Sequence, residues 1–226
     1  MALRLDIITL FPEVFSPFDY SIVRRAREQG LVEIKLVNLR DFTTDKHRTV
    51  DDRPYGGGPG MLMTVEPLFR AVESLKRPES KVLLMAPQGE VFKQAMACEL
   101  KSEAHLIFIC GHYEGIDDRV KQGLVDQEIS LGDFVLSNGN LAAMVVADAV
   151  IRLLPGALGC GMSTESESFS EGLLEYPQYT RPEVFRGMEV PPVLLSGNHE
   201  KIDQWRKDKS LEITKLKRPD LYRRLK

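Results

Sequence analysis

Short apolar runs alternate with amphipathic stretches over the first two-thirds of the chain. Residues 3–10 (LRLDIITL) read as a short buried strand that ends at Phe11-Pro12. Residues 21–30 read as a helix closed by Gly30, and 31–39 (LVEIKLVNL) alternate well enough for a second strand. An amphipathic helix covers 66–76, and KVLLMA at 81–86 is a buried strand that breaks at Pro87-Gln88-Gly89. A helix over 91–100 follows, and then the buried strand HLIFIC at 105–110, which opens into GHYEGID at 111–117. A helix near 118–123 and a strand over 127–130 complete the pattern, before LAAMVVADAVIRLL at 141–154, a helix with small or aliphatic residues on nearly every face. Apolar strands alternating with helices predict an α/β fold, a parallel sheet with helices on both faces.

Three stretches fit neither period. Residues 129–142 (ISLGDFVLSNGNLA) place Gly132, Asn138 and Gly139 where the chain must turn before a buried helix, leaving backbone N–H groups free for a polar ligand. Residues 87–89 and 111–117 lie, like this loop, beyond the carboxyl ends of predicted strands, where ligands bind in parallel sheets. Residues 40–61 end in DDRPYGGGPGM, whose glycines and prolines exclude regular structure. No Gly-Lys-Ser/Thr follows, which rules out a P-loop.

The character changes after Pro155. Residues 159–172 (GCGMSTESESFSEG) are small, polar and acidic, the composition of a flexible linker. Residues 172–186 are punctuated by proline and read as irregular. From 198 to 226 there are ten Lys or Arg against five Asp or Glu, a basic face on a small helical domain. The whole chain of 226 residues carries a net charge of −3, so any nucleic-acid site is a local patch. Cys98, Cys110 and Cys160 are scattered and odd in number, which suits a reducing compartment and shows no metal spacing. The start of the chain lacks signal-peptide character and no stretch approaches a membrane span, so the expected location is the cytoplasm.

No Ser–His–Asp order, HExxH motif or cysteine pair stands out, and Gly-x-Gly-x-x-Gly is absent from the first strand–helix turn. His47 and His112 fall in loops, His105 begins a buried strand and reads as structural, and His199 opens the last helix as a possible cap. Carboxylates and arginine are then the candidates: Glu114 and Asp117 around a tight turn, Arg152 at the end of a buried helix, and Glu165, Glu167 and Glu171 in the acidic linker. An arginine with a carboxylate suits chemistry that removes a proton and stabilises the resulting anion.

These motifs carry a resemblance. LDIITLFPEVF from Leu5, DDRPYGGGPGM (51–61), APQG (86–89), CGHYEGID (110–117), SLGDFVLSNGNL (130–141), DAVIRLLPGALG (148–159), SFSEGLLEYPQYTRP (168–182), VPPVLLSGNHEKIDQWR (190–206) and RPDL around Asp220 occur in this order. Together, in order and spacing, the chain resembles the bacterial tRNA (guanine-N1)-methyltransferases, the TrmD family. The resemblance implies a SPOUT-class parallel α/β domain with a deep trefoil knot over 1–160, a flexible linker over 161–172 and a helical tRNA-binding domain over 173–226. It implies a homodimer whose active site is built from both subunits, and methyl transfer from S-adenosylmethionine to N1 of the guanine 3′ to the anticodon in tRNA.

Carried over by motif, Pro87, Gly111, Tyr113, Glu114, Gly115, Ser130, Leu131, Gly132, Leu136 and Gly139 would line the donor pocket. Arg152 would sit at the guanine and Glu167 at the position of the general base. Magnesium assists the family, although no metal site is legible in this chain. The chain departs from the family at His112, commonly Arg, at Asn138-Gly139-Asn140, commonly Gly-Gly-Glu, and at Glu167, commonly Asp. Two other readings stand beside this one: a SPOUT RNA methyltransferase with another target nucleotide, and a catalytically silent tRNA-binding module.

Overall fold

The computed structural model describes residues 2–158, 167–170 and 172–225. Cys160, Glu165 and Glu171, and with them most of the expected 161–172 linker, lie outside the described residues. The chain divides into two compact units, Met1–Gly159 and Cys160–Lys226.

The first unit begins with β1 (Leu3–Thr9), a 3-10 helix (Pro12–Asp19), α1 (Ser21–Glu28) and β2 (Val32–Asn38). A second 3-10 turn (Leu39–Phe42) leads to the short strands β3 (Asp51–Asp52) and β4 (Leu62–Met63). Then come α2 (Val65–Leu75), β5 (Ser80–Val91), α3 (Gln94–Leu100), β6 (His105–Cys110), α4 (Asp118–Leu124), β7 (Gln127–Ser130) and α5 (Asn140–Ile151). The main sheet has the order β2-β1-β6-β5-β7 and is parallel throughout.

β6 is central and every one of its residues is buried. Leu106, Phe108 and Cys110 point into one core with α1, α3 and α5, whereas Ile107 and Ile109 point into the other with α2 and α4. A strand covered on both faces has no polar side to alternate with, which is why HLIFIC reads as one apolar run.

The structure corrects several expected boundaries. β5 does not stop at Pro87. Met85 and Glu90 both pair with Ile129, so the residues between them loop out and the strand resumes through Val91. Proline has no N–H for a ladder and fits the looped-out part. At Gly89 a Cβ would strike the backbone of Glu128 and Ile129, so glycine closes the bulge. The following helix consequently starts at Gln94 rather than at 91. Within the glycine-rich stretch, Asp51–Asp52 pairs antiparallel with Leu62–Met63, so the glycines form the tip of a hairpin rather than a wholly irregular loop. α5 ends at Ile151, short of 154, with Arg152 as its C-cap.

At the amino ends of the strands lies a buried polar chain. Arg4 Nη2 pairs with Asp6 Oδ2 at 2.9 Å, His105 Nε2 lies 3.1 Å from Asp6 Oδ2, and His105 Nδ1 lies 2.7 Å from Ser80 Oγ. Asp6 is fully buried, so its carboxylate needs these partners. His105 is a core link, as its place at the start of a buried strand suggests. Burial pushes its pKa below the usual value, with the neighbouring Asp6 opposing.

The second unit contains the hairpin β8 (Val184–Phe185) and β9 (Met188–Glu189), then α6 (Pro192–Leu195), α7 (His199–Lys217) and α8 (Pro219–Arg223). The hairpin falls in a stretch expected to be irregular. Arg186 and Gly187 both have positive φ, at 54° and 79°, the backbone that matches a two-residue turn to strand twist. Asn198, not His199, caps α7, accepting from Lys201 N at 3.1 Å. The irregular segment is pinned to α7 by Thr214 and Ser210: Leu174 N donates to Thr214 Oγ1, and Ser210 Oγ donates to the Leu174 carbonyl.

The buried chain yields a stability prediction. Because the folded His105 pKa is depressed, its contribution is present above the unfolded value of about 6.5 and is lost as pH falls below it. His105→Ala, which leaves Asp6 and Ser80 short of a partner, should cost roughly 1–3 kcal/mol at neutral pH and remove that acid-side slope. Urea unfolding at pH 5.5 and 7.5 measures both, and equal stability of variant and wild type at pH 7.5 would refute the buried link.

Candidate active site

The bulge of β5 and the segments beyond the carboxyl ends of β6 and β7 surround a cavity of about 410 Å³. That volume lies within the roughly 300–1,000 Å³ usual for small-molecule sites. Leu84, Ile129, Leu136 and Ala142 supply apolar wall, Gln88, Ser137 and Asn138 supply polar groups, and Glu114 and Lys121 bring charge. Lys121 lies 3.5 Å from Glu128, so its charge is largely answered from within the protein.

The loop from β7 back to α5 forms one wall. It leaves the edge strand, exposes Phe134 and Val135, and returns to the middle of the sheet. There Gly139 N donates to the Gly111 carbonyl at 2.8 Å. A Cβ at Gly139 would stand 2.9 Å from Gly111 N, 3.0 Å from Cys110 Cα and 3.1 Å from Met85 Cβ. Glycine is thus required here by contact with the strand ends, independently of any ligand. Asn138 Oδ1 accepts from Asn140 N at 3.0 Å, closing the turn, and Asn140 Oδ1 accepts from Thr9 Oγ1 at 2.8 Å. Ser130 Oγ and Gly132 are bonded to each other at 3.2 Å in both directions, which sets the start of the loop.

The opposite wall is the 111–117 turn, which is joined to the glycine hairpin. Glu114 N donates to Met61 O, Met63 N to Gly115 O and Asp117 N to Met63 O, all within 3.0 Å. Tyr113 holds a left-handed φ of 58°, rare for an aromatic residue. Burial first, then the neighbouring Asp51, push its phenol above the usual pKa, with Arg40 opposing. A Cβ at Gly60 would run into the Glu114 side chain, so the hairpin glycine leaves that carboxylate its place. His112 is wedged edge-on between the Phe11 and Tyr113 rings, at 5.3 and 4.6 Å. It works as a packing wedge, and its buried Nδ1 has no hydrogen-bond partner among the described residues. Asp117 caps α4 and is held below the usual carboxylate range by Arg119.

Nine of the ten expected donor-pocket residues line this cavity: Pro87, Gly111, Tyr113, Glu114, Gly115, Ser130, Leu131, Leu136 and Gly139. Gly132 lies in the same loop but off the wall. Arg152 caps the carboxyl end of α5 and is not among the lining residues. Glu167 belongs to the second unit, where its carbonyl accepts from Ser170 N and Oγ. Sequence reasoning missed Leu62, Gln88, Lys121 and the supporting Thr9 and Asp51. Lys121, one helical turn past the cap Asp117, had a spacing signal. Leu62 and Asp51 arrive through a hairpin fold-back that no periodicity announces. Among the described residues no group of three or more His, Cys, Asp or Glu could hold a metal ion.

Residues 3–224 match the family described as tRNA (Guanine-1)-methyltransferase TrmD. The chain is 59% identical to the tRNA (guanine-N(1)-)-methyltransferase of Dictyoglomus turgidum, over 97% of this chain and 89% of that protein. It is 58% identical to the protein of the same name from Moorella thermoacetica, over 99% and 91%, and 56% identical to that from Carboxydothermus hydrogenoformans, over 98% and 88%. With the family match spanning residues 3–224 and identities of 56–59% over nearly the whole chain, the chain belongs to the tRNA (guanine-1)-methyltransferase TrmD family.

Proposed function

We propose that this chain moves a methyl group from S-adenosylmethionine to N1 of the guanine 3′ to the anticodon in tRNA. The observation that carries the reading is the cavity at the three strand ends, in a chain matched to the family from residue 3 to 224. Its walls suit the donor: apolar surface at Ile129, Leu136 and Ala142 for a purine, backbone at Gly111 and Leu131 for hydrogen bonds, and the Glu114 carboxylate for a cationic group. When bound, the donor supplies an electrophilic methyl group on a sulfonium. The chain's own residues must then manage a proton and a charge. We assign Glu167 as the base that takes the proton from guanine N1 as the N1–methyl bond forms and the sulfur–methyl bond breaks. Arg152 donates to O6, where negative charge grows. The flipped guanine would reach this chemistry outside the loop's base stack.

The second unit is read as the tRNA-binding part, working in the cytoplasm where tRNA is. Lys201, Lys207, Lys215 and Lys217 are exposed on α7 and available to phosphates. Arg218 is instead engaged by Asp220, whose carboxyl it holds down to about 2. We also infer a homodimer and a trefoil knot. Leu141 and Val145 form an exposed apolar stripe on α5, 53% and 49% exposed, beside exposed Phe134 and Val135, a surface suited to two-fold pairing. The return of the chain from edge strand β7 to bonds with Gly111 and Thr9 in the centre of the sheet supports a threaded path.

A crystal structure with S-adenosylhomocysteine is expected to contain a two-fold pair about α5 and a chain that stays knotted when its ends are drawn apart. A monomer or an unknotted path would overturn that inference. The reaction itself is tested by methyl transfer to unmodified tRNA with the product nucleoside identified. 1-Methylguanosine is the expected product, another methylated nucleoside indicates a different target, and binding without transfer indicates a silent module. In the same assay, Glu167→Gln should lower the single-turnover rate at least about tenfold with both affinities kept. Gly139→Ala, whose overpacking costs roughly 1–3 kcal/mol, should raise the donor KM by about tenfold or more.

A further inference from the structure

We propose that Thr9 and Asn140 are positioning residues for the donor pocket: their buried hydrogen bond ties the first residue of α5 to the end of β1 and sets the register of the 131–139 loop. The inference rests on the reading of that cavity as the S-adenosylmethionine site and goes beyond it, because neither side chain lines the cavity.

Thr9 and Asn140 stand 131 positions apart in sequence, and both are buried, 0% and 2% exposed. The Thr9 hydroxyl is used twice. It donates to Asn140 Oδ1 at 2.8 Å and accepts from Phe11 N at 3.0 Å. Accepting from Phe11 fixes the oxygen, so its single proton is free to commit to Asn140. An amide suits the other side of the bond, since it accepts this proton without burying a charge.

The bond matters because of where it falls. Asn138, Gly139 and Asn140 are anchored in succession to three places: Asn138 to its own turn, Gly139 to the end of β6, and Asn140 to the end of β1. The middle of the loop has little to hold it, with Phe134 and Val135 exposed at 55% and 84%. Its geometry therefore depends on its ends. A slip by one residue would bring Asn138 or Asn140 to the strand ends in place of Gly139, where a Cβ meets Gly111 N at 2.9 Å. The tether at Asn140 excludes that slip, and with it a collapse of the wall formed by Leu136, Ser137 and Asn138.

The test is calorimetric titration of S-adenosylhomocysteine into the full-length wild type, Thr9→Val, Thr9→Ser, Asn140→Ala and the Thr9→Val/Asn140→Ala double variant, with melting temperatures recorded alongside. Thr9→Val keeps the shape and removes the hydroxyl, whereas Thr9→Ser keeps the hydroxyl. Thr9→Val removes both bonds of the hydroxyl and Asn140→Ala only the one the two residues share; loss of that shared bond at the loop's anchor should raise Kd by about tenfold in either variant. The double variant should be no weaker than the worse single one, and Thr9→Ser should bind like wild type. In methyl transfer, donor KM should rise with kcat unchanged at saturating donor. Wild-type affinity in Thr9→Val despite a lowered melting temperature would make the bond merely structural and overturn the proposal. If Thr9→Val fails to fold, Asn140→Ala decides on the same criterion. A wild-type chain that does not bind the probe overturns the reading of the pocket itself and this inference with it.

Discussion

The end of β6 and the approach to α5 pack backbone against backbone. With 2.9 Å between a hypothetical Gly139 Cβ and Gly111 N, nothing larger than glycine fits, and the pocket is built around that contact. It brings the loop from edge strand β7 across β5 to the centre of the sheet. That crossing places Leu131, Leu136 and Asn138 opposite the 111–117 turn, with Pro87 and Gln88 from the β5 bulge between them. Each wall is held from behind by bonds that do not enter the cavity: Thr9 to Asn140 on one side, Glu114 N to Met61 O on the other. A binding site gains from such support, because small misplacements cost rate steeply.

The two ends of the sheet divide the labour. At the amino end, Arg4, Asp6, His105 and Ser80 form a chain of mutual contacts that ties β1, β5 and β6 together. At the carboxyl end β6 gives way to Gly111, and β5 loops out at Pro87-Gln88-Gly89 before its ladder resumes, so that Pro87, Gln88 and Gly111 line the cavity. Ligands favour the carboxyl ends of parallel strands, and here a proline without an N–H interrupts the β5 ladder at that end.

Much of this was legible in the sequence. The buried runs at 81–86 and 105–110 announced central strands, and the three turn-rich segments singled out after strands are the ones that border the cavity. Nine of ten residues carried over by motif came to one cavity. What stayed hidden is long-range. Periodicity cannot show that β5 resumes after its bulge, since two residues of ladder at Glu90–Val91 are too short for a pattern. It cannot show that Asp51 pairs with Met63 across the glycine tip and so delivers Leu62 and Tyr113's neighbour to the site. Thr9 looked like one more strand residue, and only Asn140's position in space gives it a role. The need for Gly139 was legible, but its cause lies in strand-end packing rather than in approach to a ligand.

The central claim is that the three segments form one donor pocket. Hydrogen exchange followed by mass spectrometry, with and without S-adenosylmethionine, tests it most directly. Slowed exchange is expected together in 87–92, 111–117 and 131–140, at one common donor concentration, with 3–8 and 80–84 unchanged. Protection confined to a single segment, or centred on residues outside these three, would contradict it.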